Sequence, residues 1–167
     1  MLKIQCSRYS DLDDIVIAKA SEMGLPLIGG TALEIWAGET GHSGVRTRSD
    51  NDIDVIASDE SIVKEFGKWV RENIDTSKVK VDVMLTRSVD FSPYIKEVHG
   101  VKVMSLPYIL WSKLSRASRS DLQDIKWILT NPSVSDDELN EIFADYGLTK
   151  KEESVLMNVM DEIDSES

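Results

Sequence analysis

The chain has 167 residues, hydrophobic residues make up 41 % of it, and its net charge is -11; that suits one domain with one hydrophobic core. The longest apolar runs are too short to cross a bilayer, and the net charge taken as a whole would argue against a nucleic-acid partner, but its distribution changes that reading. The acidity is uneven: from Pro132 onward eleven acids face only Lys150 and Lys151, a net of -9, which leaves -2 for the first 131 residues.

Met1 to Gln5 lacks the apolar stretch of a secretory signal, and Cys6 is the single cysteine. A cytoplasmic address, with no membrane partner and no disulfide, is therefore expected, and Cys6 reads as ordinary packing. Ser10 caps a predicted helix through Asp11, Asp13 and Asp14 that Gly24 stops, with Leu12, Ile15, Val16 and Met23 on its apolar face. Leu25 to Ile28 reads as a short buried strand that ends at Gly29-Gly30. A helix from Thr31 to about Ala37 opens on those glycines, and Gly38 to Asp50 reads as a loop.

Asp52 to Ala57 alternates acidic and aliphatic residues, the period of a strand with one apolar face and one functional face. Asp59 caps a helix over about Glu60 to Asn73. Lys78 to Leu85 is strand-like, and the valines around Asp82 predict an interior strand. Tyr94 to Val98 and Val101 to Met104 form a predicted hairpin across His99-Gly100. Pro107 opens a helix to about Ala117, a second helix covers Asp121 to Leu129, and two acidic helices follow near Asp136 to Ala144 and Lys150 to Ile163. The expected organisation is a domain over residues 1–131 with an acidic helical extension, 132–167, packed on it. That extension reads mainly as a solvated helix face, with docking of a basic protein partner as the alternative.

On a strand, residues two apart project from the same face about 6.6 Å apart, so Asp52 and Asp54 point together. Such a pair repels itself unless a cation sits between the carboxylates, and magnesium favours that oxygen-rich setting. If the Asp82 strand lies alongside, three carboxylates could hold two metals. Gly29-Gly30 is either a plain tight turn or an anion site made by the N-terminus of the helix, with the Thr31 hydroxyl as a further donor. Neither a Walker loop nor a dinucleotide fingerprint is present. Lys113, Arg116 and Arg119 recur every three residues, which predicts one basic helical flank. His42 and His99 read as loop residues, and Trp36, Trp69, Trp111 and Trp127 as core packing.

The run Leu27-Ile28-Gly29-Gly30-Thr31-Ala32-Leu33, then Arg48 and Asn51-Asp52-Ile53-Asp54-Val55, then Val81-Asp82-Val83, resembles the nucleotidyltransferase superfamily typified by DNA polymerase beta. Within it the likeness is to minimal nucleotidyltransferases and AbiEii-type toxins, over roughly residues 10 to 130. The resemblance implies an α/β (α+β) fold, a mixed sheet flanked by helices with a C-terminal helical segment. It implies Mg2+, in a two-metal site, and an NTP as substrate, with NMP passed to a hydroxyl of tRNA, protein or a small molecule. Gly29, Gly30 and Thr31 would then hold phosphates, and Asp52 and Asp54 the metals. Asp82 would serve as third ligand and promoter of the acceptor hydroxyl, and Arg48, Lys113 and Asp121 would belong to the nucleotide site, Lys113 facing the phosphates. Toxin-like members imply a cognate antitoxin. The long interval from Gly30 to Asp52 and the short one from Lys113 to Asp121 depart from the family pattern. Two other readings stay open: a non-catalytic nucleotide-binding or regulatory module, and an antibiotic-modifying transferase.

Overall fold

The computed structural model describes residues 11–46, 52–86 and 90–167; Cys6, Ser10, Arg48 and Asn51 lie outside them. It is an α/β protein. The described residues form seven α-helices and a five-stranded mixed sheet: α1 (Asp11–Glu22), β1 (Leu27–Ile28), α2 (Gly29–Thr40), β2 (Asp52–Ala57), α3 (Glu60–Asn73), β3 (Lys80–Leu85), β4 (Ile95–Val98), β5 (Val101–Met104), α4 (Leu106–Leu114), α5 (Arg119–Leu129), α6 (Asp136–Tyr146) and α7 (Lys150–Glu166). None of these helices is long and apolar enough to cross a membrane.

The chain divides into two compact units. One comprises Met1–Glu39 with Arg48–Met104, the other Thr40–Thr47 with Ser105–Ser167. The second unit gathers α4 and α5 with the acidic helices: α4 and α5 pack on each other, α4 against α6 and α7, and α5 against α7.

The first unit is built on the sheet, in the order β3-β2-β1-β5-β4. β1 runs antiparallel to β2 and parallel to β5, and β2 runs parallel to β3. The predicted hairpin is present as β4 and β5, with His99 and Gly100 both at positive φ in its turn, as a two-residue primed turn requires. The sheet's inner residues Leu27, Ile53, Val55 and Val103 are all fully buried. α1 and α3 pack on this sheet.

α1 ends as its sequence predicts. Gly24 adopts φ +75°, and Leu25 N–H donates to Ala20 O while Gly24 N–H donates to Ser21 O, the paired bonds of a glycine-closed helix end. Its buried face differs from expectation: Asp13, Val16, Ile17 and Ala20 are buried, whereas Ile15 is exposed. β3 also differs. It is an edge strand whose residues alternate between exposed and half-buried, so Asp82 is not interior. The valines mark only the half-buried face, which a sequence cannot tell from a strand covered on both sides.

The second unit is helical. α4 starts at Ser105, whose hydroxyl accepts from Tyr108 N–H, with Pro107 in the first turn, where its missing N–H costs nothing. Tyr108, Trp111 and Tyr146 form an aromatic cluster joining α4 to α6, with Trp111 and Tyr146 stacked at 4.7 Å. Burial, reinforced by the neighbouring Tyr146, pushes the Tyr108 phenol up to about 12. The end of α7 is tied back by Lys126, which reaches Glu166 at 2.7 Å and Glu162 at 3.3 Å. Part of the C-terminal acidity is therefore paired.

Candidate functional site

In the first unit the glycine turn and the acidic strand meet. β1 delivers the chain to Gly29, which takes φ +77°, a left-handed conformation that costs any residue with a Cβ about 1–2 kcal/mol. β1 pairs with β2 so that Ile28 stands opposite Asp54. That register brings the Asp54 carboxylate against the turn: a Cβ on Gly29 would lie 2.6 Å from Asp54 Oδ2. Glycine suits this turn for the backbone, and an added Cβ would also displace the Asp54 carboxylate.

The first N–H groups of α2 lack partners inside the helix, and its dipole is positive at this end. A carboxylate beside it is stabilised. A phosphate brought to the same helix end would meet that carboxylate, and the two like charges require a divalent cation between them. The donor set thus fits a magnesium-bound phosphate better than a bare one.

Thr31 is placed differently from expectation. Its side chain is fully buried, and its hydroxyl donates to the Asp52 carbonyl at 2.9 Å. Its one hydroxyl proton is engaged there, so the side chain fastens α2 to the start of β2. Asp52 itself is half-buried and, two residues from Asp54, shares its face of the strand.

Asp82 pairs in register with Asp54 on the neighbouring parallel strand, and Lys80 with Asp52. Aligned residues of adjacent strands project to the same side, about 4.8 Å apart, so the three aspartates occupy one face. Asp82 is exposed and lies 3.6 Å from Lys80 Nζ. Among the described residues, no group of three or more His, Cys, Asp or Glu side chains is close enough to hold a metal ion. What the sheet provides is a carboxylate pair, Asp52 and Asp54, with Asp82 at its outer edge.

The other expected nucleotide ligands occur in the second unit, in a buried ion-pair network. Lys113 Nζ lies 3.0 Å from Asp124 and 3.4 Å from Asp121, and all three side chains are at most 8 % exposed. Arg116 grips Asp121 through Nε and Nη2, each at 2.7 Å. Asp121 also accepts from the Ser118 hydroxyl and N–H, closing a capping box on α5. Burial pushes the Asp121 carboxyl up, but Arg116, Ser118 and Lys113 together outweigh it and hold the group well below the usual carboxylate range.

The ammonium of Lys113 and the carboxylate of Asp121 thus serve each other. The basic flank expected of Lys113, Arg116 and Arg119 does not form, because α4 stops at Leu114 and α5 begins only at Arg119, with Ala117 at φ 49° between them.

Arg46 completes the network, with Nε 3.2 Å from Asp124 Oδ1 and Nη2 3.3 Å from Oδ2. The sequence carries no spacing that pairs residues 78 positions apart, so this partner was not legible; the capping box at Ser118 was missed, though the Ser-x-x-Asp spacing carries its signal. His42 contacts Thr130, and His99 sits 3.0 Å from Glu39, both in loops as expected. Trp127 is core, while Trp36, Trp69 and Trp111 are half-buried; the indole N–H groups of Trp36, Trp111 and Trp127 each donate to a backbone carbonyl.

Comparison with models of known protein families finds no match, and comparison with curated proteins finds none either.

Proposed function

We propose that the chain is a magnesium-dependent nucleotidyltransferase, with the polymerase-beta-like nucleotidyltransferase fold, that passes NMP from an NTP to a hydroxyl acceptor and releases pyrophosphate. The observation that carries this reading is the contact between the glycine turn and Asp54. It sets a helix N-terminus suited to phosphate beside carboxylates suited to a divalent cation.

In this reading Asp52 and Asp54 are the metal ligands. Bound magnesium would supply charge neutralisation on the phosphates and acidify the acceptor hydroxyl. The backbone N–H groups at Gly29, Gly30 and Thr31 would orient the triphosphate, and Asp82 would take the acceptor's proton. Thr31 holds the first residue of the acid strand in place through its carbonyl. Catalysis rests on positioning and electrostatics, with no covalent protein intermediate. Lys113 and Asp121 act as scaffold.

Incubation of the protein with each of four labelled NTPs and Mg2+, against total tRNA, cell protein and small-molecule pools, tests the reading. Label transfer with pyrophosphate release supports it. Retention of nucleotide without pyrophosphate release would favour a binding or regulatory module, and absence of both would end it.

A further inference from the structure

α7 has more apolar surface than the fold covers. Val159 is buried, whereas Met157 and Met160 are 62 % and 48 % exposed. Residues two apart on a helix point about 160° away from each other, so Met157 stands on the side opposite Val159. Leu156, Met160 and Ile163 follow the i, i+4, i+7 spacing of a single helix face, with Met157 along its outer border. Leu156 and Ile163 are half-buried. The apolar strip therefore runs from the packed side of the helix out into solvent.

Carboxylates frame its exposed part. Glu153 comes four residues before Met157, Asp161 four after it, and Asp164 four after Met160, which sets an exposed acid one turn from each methionine. Lys126 takes Glu162 and Glu166, which lie on the Val159 side. Among the described residues no ion pair engages Glu153, Asp161 or Asp164.

An exposed apolar strip rimmed by charge marks a contact surface, and methionine, unbranched and flexible, adapts to varied apolar side chains. The rim selects the occupant. Antiparallel pairing with a second copy, centred on the methionines, would set Glu153 of each copy against Asp161 or Asp164 of the other, and an anionic lipid surface would be repelled in the same way. A helix whose apolar face is bordered by lysine and arginine satisfies both the strip and its rim. We propose that the outer face of α7, centred on Met157 and Met160 and framed by Glu153, Asp161 and Asp164, docks a basic amphipathic helix of a partner protein. The surface lies wholly on α7 and does not depend on the transferase reading.

The probe is a synthetic helical peptide of leucine and lysine, leucine on one face and lysine on the other, titrated into the full chain isotope-labelled at its methionine methyl groups. The expected result is movement of the Met157 and Met160 resonances, with that of Met84, also exposed at 50 %, unmoved. Met157→Gln combined with Met160→Gln lowers the affinity by about tenfold or more, with the circular dichroism unchanged. Glu153→Gln, Asp161→Asn and Asp164→Asn together lower it by about tenfold or more and flatten its salt dependence. The same loss of charge on α6, through Asp136→Asn, Asp137→Asn and Glu141→Gln, changes it by less than about threefold.

Absence of binding would overturn the proposal. Equal losses from the two triple substitutions would do so as well, since they would mark attraction to overall acidity, and so would equal binding of a peptide with the same residues in scrambled order. A concentration-dependent dimer that the methionine substitutions abolish would overturn it in favour of a second copy, and binding to phosphatidylserine vesicles that they abolish, in favour of a membrane.

Discussion

Gly29 and Asp54 meet so closely that a single added carbon on Gly29 would stand 2.6 Å from a carboxylate oxygen. Gly29→Ala must therefore either push the carboxylate aside or shift the turn, in addition to straining a backbone at φ +77°. Gly24 offers the control, with nearly the same φ and nothing within 4 Å of an added Cβ. Gly24→Ala should cost about 1–2 kcal/mol and leave transfer intact. Gly29→Ala should cost more and should also lower transfer by about 100-fold or more. Denaturant midpoints and transfer rates of the two variants check this; equal losses in both would mean that the Asp54 contact is incidental.

Thr31→Val separates a strand brace from a phosphate donor. Valine keeps the volume but removes the bond to the Asp52 carbonyl, which should cost about 1–3 kcal/mol in urea unfolding. Thr31→Ser should restore most of it. A phosphate-binding hydroxyl would behave differently, raising the NTP KM without lowering stability.

The Asp121 network predicts an acid limit to stability. The carboxyl is held below its ordinary 3.8 in the folded chain, so the unfolded chain takes up a proton first as pH falls. The stabilisation is fully present above about pH 4–5 and is lost progressively below, toward the folded-state pKa. Unfolding free energy measured from pH 7 to pH 2 should show this decline in the unsubstituted protein and a shallower one in Asp121→Asn. At neutral pH, Asp121→Ala should cost about 1–3 kcal/mol, since it removes the α5 capping box and the bonds to Arg116 while Lys113 keeps Asp124 at 3.0 Å.

Much of the fold was legible because local signals agreed with the final structure. Asp59, Pro107 and the His99-Gly100 turn each sit where the sequence placed them, and α3 spans the expected Glu60–Asn73. The Asp52-Ile53-Asp54 alternation carried the two faces of β2, since a period of two admits no other reading on a strand. What failed depended on neighbours distant in sequence. The edge position of Asp82 follows from strand order, which valine content does not encode. Lys113 is buried with Asp121 and Asp124, and the bond that engages Thr31 crosses 21 positions.

The most direct test of the central claim is NMP transfer by Asp52→Asn and Asp54→Asn at a series of Mg2+ concentrations, with circular dichroism as the check on folding. Each substitution keeps the shape of the side chain and removes its charge, so folded variants with transfer reduced by about 100-fold or more, not restored by added magnesium, are the predicted result. Folded variants that transfer at the unsubstituted rate would contradict the account.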